Sequence, residues 1–474
     1  MAPLRTAWLL LSLWLLYGCG EARLFEKLDP GSELIMLTRN SPTTYYFDGD
    51  QPTGFEFELM QKFADEKGLK LRVKVAFTLE ELIQMLGGQE GHIAAAGLTM
   101  TPLRGEQFLA SDAYITQQPL IVYKSGQQRP KSLDQLGDRD IVVLAGSSHI
   151  EALRTLQATV ANLSWREIRA ADTLELMQLV AEEKAELAVV DSVEFQIQQQ
   201  LYPRLVAALE LNAREDMVWY LPDAPGASEF LIQINQFLKA MHDSGELAKL
   251  RERHFGSLAF ASRINTFTFQ RKIKSTLPEW QPLIEQVAAE YPMDWRLLAA
   301  ISYQESHWNP TAKSPTGVRG MMMITRVTAK ELGIKDRTDP RQSLRGGARF
   351  LKDLLRRLPA DIEEPDRTWM ALAAYNIGMG HLEDARVLTE KAGLDPHIWQ
   401  DVRAYLPQLQ NPDVYPQTRY GFARGKEAVT YVDNIRHYYS ALQLQSLPEH
   451  KLQPPVTTSG LLPERLSGYL PLVL

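Results

Sequence analysis

The chain has 474 residues, 45% of them hydrophobic and 23% charged, with a formal net charge of −7. That length exceeds the roughly 250–300 residues at which a single core stops growing, so two or three domains are expected, and the ordinary composition excludes a disordered chain or a multi-span membrane protein. An acidic balance with no long basic run leaves no electrostatic footprint for nucleic acid.

At the N-terminus, Arg5 precedes an apolar run from Ala7 to Tyr17, broken only by Ser12. The run falls well short of the roughly 20 residues that a helix needs to span a bilayer, and it reads as the core of an export signal. Leu16-Tyr17-Gly18-Cys19 follows at once. This resembles a bacterial lipoprotein processing site, which implies a signal peptide over residues 1–19 and acylation of Cys19, although Tyr17 is bulkier than that pattern prefers. Gly20 in place of Asp resembles the outer-membrane sorting pattern, implying a periplasmic-face location on the outer membrane, peripheral or lipid-anchored. Cys19 is the sole cysteine, so no intramolecular disulfide can form.

From 33 to 267 the sequence predicts an α/β domain. Strands are expected at Leu34–Leu37, Leu71–Val75, Ile93–Ala96, Ile141–Leu144 and Leu187–Val190, with amphipathic helices at Phe57–Glu66, Thr78–Leu86, Ser148–Leu156 and Thr173–Lys184. Leu120–Tyr123 and Met217–Leu221 are expected as two extended connections, the hinge of a bilobed domain. The polar and basic stretch Phe260–Ser275 is expected to carry the boundary. From 268 to 446 the pattern is helical, with candidates at Pro282–Glu290, Trp295–Glu305, Val327–Leu332, Leu344–Leu358, Trp369–Tyr375 and Val429–Leu442. The Pro-containing tail, 447–474, is expected to be irregular.

Within the first domain, Gly97-Leu98-Thr99-Met100-Thr101-Pro102-Leu103-Arg104 follows a strand and offers hydroxyls and a guanidinium fork suited to a carboxylate. Gly146-Ser147-Ser148 follows another strand and opens a helix, where free N–H groups favour an anion. Asp191 ends a third strand and suits an ammonium group. Singly, Arg104 reads as a salt-bridge partner and Asp191 as a helix cap; together they describe a zwitterion site. With Gly54-Phe55-Glu56-Phe57-Glu58, these positions resemble the type II periplasmic amino-acid-binding proteins. The resemblance implies a bilobed fold, an amino-acid or muropeptide ligand held by Thr99, Arg104, Ser147 and Asp191, and an aromatic wall from Tyr46 or Phe47.

In the second domain Leu298, Ile301 and Glu305 share one helix face. A carboxylate on an apolar stripe loses solvation, which raises its pKa toward that of a neutral-pH general acid. Taken alone, a glutamate at a helix end reads as readily as a solvated residue. Glu305-Ser306-His307-Trp308-Asn309-Pro310 is followed, however, by Gly317-Val318-Arg319-Gly320-Met321-Met322-Met323-Ile324-Thr325, by Ala374-Tyr375-Asn376-Ile377-Gly378 and by Tyr431-Val432. These four ordered segments resemble the lytic transglycosylases with a goose-type, lysozyme-like catalytic domain. Met321 and Met323 depart from the leucine and glutamine of many members, so a glutamine bond to sugar does not carry over.

The resemblance implies a non-hydrolytic lyase acting on peptidoglycan glycan strands, with Glu305 as acid and base and with Ser306, Met322, Tyr375, Asn376 and Tyr431 binding substrate. It implies no cofactor, and no metal-ligand cluster is visible in the sequence. A non-catalytic envelope sensor that binds solute or muropeptide is the alternative. Replacing Cys19 with Ala is expected to abolish incorporation of a fatty-acid analogue in metabolic labelling, and an unlabelled wild-type chain would remove the lipid-anchor reading.

Overall fold

The computed structural model describes residues 24–48, 51–169, 172–211, 214–256 and 263–445. The expected export signal with Cys19 and the tail 447–474 lie outside the described residues.

Two five-stranded sheets form the first half of the molecule. In the first lobe the order is β4 (Lys70–Ala76), β1 (Glu33–Arg39), β5 (Ile93–Ala94), β14 (Tyr220–Pro222), β6 (Phe108–Ala110). In the second lobe it is β10 (Arg166–Ile168), β9 (Ile141–Leu144), β11 (Leu187–Asp191), β8 (Pro119–Lys124), β12 (Leu205–Glu210). Strands β1, β9 and β11 run parallel to neighbours and are apolar on both faces, with Leu34, Met36, Val142, Val143, Val189 and Val190 fully buried; helices covering both faces of a sheet require this. Those helices are α1 (Phe55–Lys67), α2 (Leu79–Gly87), α3 (Pro102–Gly105), α4 (Ser148–Gln157), α5 (Thr173–Ala181), α6 (Ser192–Gln198), α7 (Ala227–Asp243) and α8 (Glu246–Phe255). Thr78 caps α2 by accepting from the Glu81 amide at 3.1 Å, and Gly54 precedes α1 because a Cβ there would lie 2.3 Å from the Thr44 carbonyl oxygen.

The hinge differs from expectation. Leu120–Tyr123 is no connection: it lies inside β8, paired on one side with β11 and on the other with β12, and Ile121 and Val122 are fully buried. Its unbroken apolar run is that of a strand flanked by others. The chain crosses between lobes through β7 (Ile115–Gln117) and β13 (Glu215–Met217), which pair antiparallel as a separate two-stranded ribbon. Tyr220–Leu221, expected in the hinge, belongs to the first-lobe sheet.

The second half is helical: α9 (Arg263–Ser275), α10 (Leu277–Glu290), α11 (Trp295–Ser306), α12 (Arg326–Leu332), α13 (Pro340–Arg357), α14 (Asp366–Ile377), α15 (Met379–Lys391), α16 (Trp399–Tyr405) and α17 (Gly425–Gln445). The stretch expected to carry the boundary is thus largely the helix α9, whose Phe269 is fully buried against Tyr303, Trp308 and Tyr438. Helix α11 starts at Asp294, whose carboxylate accepts from the Arg296 amide at 2.8 Å, and buries Leu298, Ala299, Ala300 and Ile301 against α10 and α17.

The two halves meet on the helices α11 and α17. Asp48, in the hairpin of β2 (Tyr46–Asp48) and β3 (Gln51–Thr53), pairs with Arg296 and accepts from Gln443 at 2.9 Å. Arg436 of α17 pairs with Glu252 of α8 at 3.1 Å.

Candidate active site

Glu305 occupies the last turn of α11, beside α17. The Tyr431 hydroxyl donates to its Oε1 at 2.5 Å. Burial pushes the Glu305 carboxyl up to about 7, and the Tyr431 bond partly opposes that rise by favouring the charged form. Among the described residues no second carboxylate contributes to the shift. Tyr375, at the end of α14, stacks on Tyr431 with ring centroids 6.5 Å apart and planes 12° from parallel. Its hydroxyl donates to the Met322 carbonyl at 3.4 Å. Asn376 follows it, exposed at the helix end. Glu305, Tyr375 and Tyr431, from three helices distant in sequence, therefore come together, with Asn376 next to Tyr375 in the chain.

The chain reverses sharply just after Glu305. His307 and Trp308 both take positive φ, 53° and 61°, a conformation that costs non-glycine residues about 1–3 kcal/mol each. Burial of the Trp308 indole offsets that cost, since its Nε1 donates to the Ala299 carbonyl at 2.9 Å. Ser306 takes part in the same turn: its hydroxyl donates to the Met321 carbonyl at 2.9 Å and accepts from the Asn309 amide at 3.1 Å. Its bonds thus run to the 317–325 turn, to Ser302 one turn earlier and to Asn309, rather than to Glu305.

Met322 is placed differently from its expected role. Its side chain is fully buried and packs so closely on Gly347 of α13 that a Cβ there would lie 2.3 Å from the methionine Cε. Met321 is also fully buried, so at these two positions the methionine run is core, as its polarizable, flexible side chains favour; it is the Met322 carbonyl that meets Tyr375. Gly320 is required in this turn: at φ 88°, its Cβ would fall 1.7 Å from the Arg337 carbonyl oxygen.

In the receptor-like half, Thr99, Arg104, Ser147 and Asp191 line one cavity between the lobes. Arg104 is buried and spans the cleft, donating to the Thr99 carbonyl and to the Gly146 carbonyl, each at 3.0 Å. Asp191 Oδ1 faces His149 Nε2 at 3.5 Å, and the Ser147 hydroxyl has no hydrogen-bond partner among the described residues. The cavity measures about 20 Å³, room for about one water. Arg39, which pairs with Glu194 at 3.8 Å, and His149 also line it and were not singled out by sequence reasoning. The signal available was two charges placed where strand β1 and helix α6 meet the cleft. Tyr46 and Phe47 are not in this lining; their hairpin faces the helical half, because Asp48 beside them binds Arg296. Glu56, from the Gly54–Glu58 segment, is buried and accepts from the Gly97 amide at 2.8 Å and from the Tyr114 hydroxyl, and burial holds its carboxyl up to about 7.

Comparison with known proteins adds two family matches. Residues 34–257 match the bacterial extracellular solute-binding proteins, family 3, and residues 282–396 match the transglycosylase SLT domain. The membrane-bound lytic murein transglycosylase F of Ectopseudomonas mendocina is 42% identical over 443 residues, covering 92% of this chain and 90% of its own. That of Idiomarina loihiensis is 45% identical, covering 85% and 88%, and that of Pseudomonas syringae pv. syringae is 38% identical, covering 98% and 97%. Among solved structures, an ancestral arginine-binding protein bound to arginine is similar at 23% identity with a TM-score of 0.43, covering 47% of this chain and 98% of that one.

Replacing Tyr431 with Phe removes the donor that favours the Glu305 carboxylate, so the carboxyl is expected to titrate higher still than about 7. Carbon-13 NMR of the labelled glutamate side chains in wild type and Tyr431→Phe reads this directly, and an unchanged or lower midpoint would show that the hydroxyl does not tune Glu305.

Proposed function

The chain belongs to the membrane-bound lytic murein transglycosylase F family, and from that membership we propose that it cleaves the β-1,4 bond between N-acetylmuramic acid and N-acetylglucosamine in peptidoglycan, with Glu305 as acid and then as base. The observation that carries this reading is the desolvated Glu305 carboxyl, near 7 and bound to a single phenol, within the segment that matches the transglycosylase domain.

Glycosidases commonly divide acid and nucleophile or base between two carboxylates. Here one group does both jobs in turn. Protonated Glu305 gives its proton to the leaving glycosidic oxygen while the acetamido group of the substrate supports the oxocarbenium-like centre. The resulting carboxylate, stabilised by the Tyr431 hydroxyl, removes the proton of the muramoyl C6 hydroxyl. That oxygen attacks C1 and closes a 1,6-anhydro ring, so water is not consumed and no cofactor is required. Tyr375 and Asn376 line the sugar site, and Ser306 fixes the end of α11 against the 317–325 turn.

The working division is a receptor-like unit over 33–267 and a catalytic unit over 268–446, with α9 spanning the join. Membrane association accompanies the family name, and among the described residues no helix is long and apolar enough to cross a membrane. We read the attachment as an acylated Cys19 on the periplasmic face of the outer membrane. The receptor-like unit takes an amino-acid or muropeptide zwitterion, with Arg104 and Ser147 on the carboxylate, Asp191 on the ammonium and Thr99 beside them. A cavity of about 20 Å³ admits such a ligand only when the lobes part about β7 and β13, and this movement regulates the catalytic unit through Asp48 and Arg296.

Glu305→Gln is expected to fold and to lose about 10²–10⁴-fold in turnover, the usual worth of general acid–base catalysis. Mass spectrometry of peptidoglycan digests checks it: wild type should release fragments about 18 Da lighter than water-adding cleavage gives, and near-normal release by the variant would refute the assignment. The proton is needed for the first step and the carboxyl sits up to about 7, so turnover should hold below that pH and fall above it.

For the receptor-like unit, amino acids and stem peptides are titrated by calorimetry and cleavage is measured with the best binder. The expected change in cleavage is within about 5–150-fold, the range of ordinary coupling free energies, and Arg104→Ala should abolish it. Binding through Arg104 with no change in cleavage at saturation would reduce the unit to a localisation module.

A further inference from the structure

Helix α9 has two unlike faces. Phe269 is fully buried in the core of the helical half, and the Thr266 hydroxyl is 3.0 Å from His437 Nε2. The other face looks toward the second lobe of the receptor-like half, and a cavity of about 300 Å³ separates them. That volume lies at the lower end of those that hold small organic ligands.

The chemistry of its lining is one-sided. Among the described residues four cations line it, Arg271 and Lys274 from α9 and Lys124 and Arg204 from the lobe, and no carboxylate does, although the chain as a whole carries −7. Lys124 is partly neutralised by Glu183 at 2.5 Å, and Arg204 is held by the Ser125 carbonyl at 3.2 Å. Arg271 and Lys274 are exposed on α9. Gln270 adds an independent observation. It lines the cavity with only 7% of its surface exposed, its Oε1 accepts from Gln445 at 3.2 Å, and its Nε2 has no hydrogen-bond partner among the described residues. A buried donor without an acceptor is costly, and the four charged side chains of the lining, Lys124, Arg204, Arg271 and Lys274, are donors only. The remaining wall is apolar, formed by Leu201, Tyr202, Leu205 and Phe267, the last 48% exposed.

We propose that this cavity is a second binding site, for the carboxylate or phosphate head of an anionic amphiphile: Gln270, Arg271 and Lys274 hold the head, and Phe267 and Tyr202 cover the first part of the apolar body. The site is separate from both the Arg104 cavity and the Glu305 cleft, and its ligand bridges the second lobe to the helical half. A charged head placed among several cations gains charge-assisted hydrogen bonds, while apolar burial adds about 25 cal/mol per Å². An amphiphile therefore binds more tightly than either portion alone.

The test is calorimetry on the purified full chain with decyl phosphate below its micelle concentration, inorganic phosphate and neutral decyl maltoside. Wild type is compared with Arg271→Ala/Lys274→Ala and with Phe267→Ala, all at exposed positions, with circular dichroism as the check on folding. Decyl phosphate should bind, more weakly at high salt, and at least tenfold more weakly in the double variant. Phe267→Ala should weaken decyl phosphate while leaving inorganic phosphate unchanged. If inorganic phosphate binds as tightly as decyl phosphate, the apolar share of the proposal fails and the site is one for free anions. If decyl maltoside matches decyl phosphate, or the double variant binds with unaltered affinity, the proposal is overturned.

Discussion

The hydrogen bond between Tyr431 and Glu305 is the constraint around which the helical half is arranged. A carboxylate out of water is expensive, and each pKa unit of difference corresponds to about 1.4 kcal/mol between its protonation states. A guanidinium or ammonium beside Glu305 would relieve that cost by stabilising the charge and would hold the group permanently ionised. The structure supplies a neutral phenol instead, which favours the charged form only partly, and the carboxyl stays up to about 7. Such a balance requires that α11 and α17 hold their positions closely. The Tyr375 ring behind Tyr431, the Trp308 indole bonded to Ala299 and the Ser306 bond to the Met321 carbonyl all serve that end.

Glu56 of the receptor-like half repeats this arrangement, a buried carboxyl bonded to the Tyr114 phenol and raised to about 7, but around the Arg104 cavity the buried charges are held differently. Arg39 pairs with Glu194, His149 faces Asp191, and Arg104 is satisfied by two carbonyls, one on each side of the cleft. Buried pairs of this kind add little net stability, because desolvation offsets attraction, yet breaking one exposes an uncompensated charge. The arrangement is therefore selective. A group that displaces Arg104 from the Gly146 carbonyl has to offer oxygen acceptors of its own, and a carboxylate does so twice over.

Much of this was legible in the sequence, for identifiable reasons. Strands β1, β9 and β11 stand out because parallel strands covered on both faces are continuous apolar runs, β4 because Leu71, Val73 and Val75 alternate with Lys70, Arg72 and Lys74, and α13 because one face is strongly apolar. The same logic misled at β8: an apolar run buried between β11 and β12 looks the same whether it joins lobes or builds one. The true crossing at Ile115–Gln117 is short and partly polar and left no periodic signal. Met322 illustrates a second limit, since the motif locates the turn but cannot tell which of its residues offers side chain and which offers carbonyl. Tyr431 was found from its motif, whereas its bond to Glu305, across 126 positions, is a property of packing alone.

The contacts between the halves fall on the helices that carry the site. Asp48 binds Arg296 at the start of α11 and Gln443 near the end of α17, and Glu252 binds Arg436 in the middle of α17. Arg296 is simultaneously held by Asp294, which also accepts from the Tyr439 hydroxyl at 2.8 Å. One small polar cluster thus ties the receptor-like hairpin to both helices whose join sets the Glu305–Tyr431 distance. A rigid helix transmits displacement along its length, and a hydrogen bond of 2.5 Å is sensitive to small shifts at either partner. Any coupling through this cluster must run in both directions. If lobe movement alters how firmly α11 and α17 grip a glycan strand, then a bound glycan strand alters the lobes' affinity for their own small ligand by the same factor.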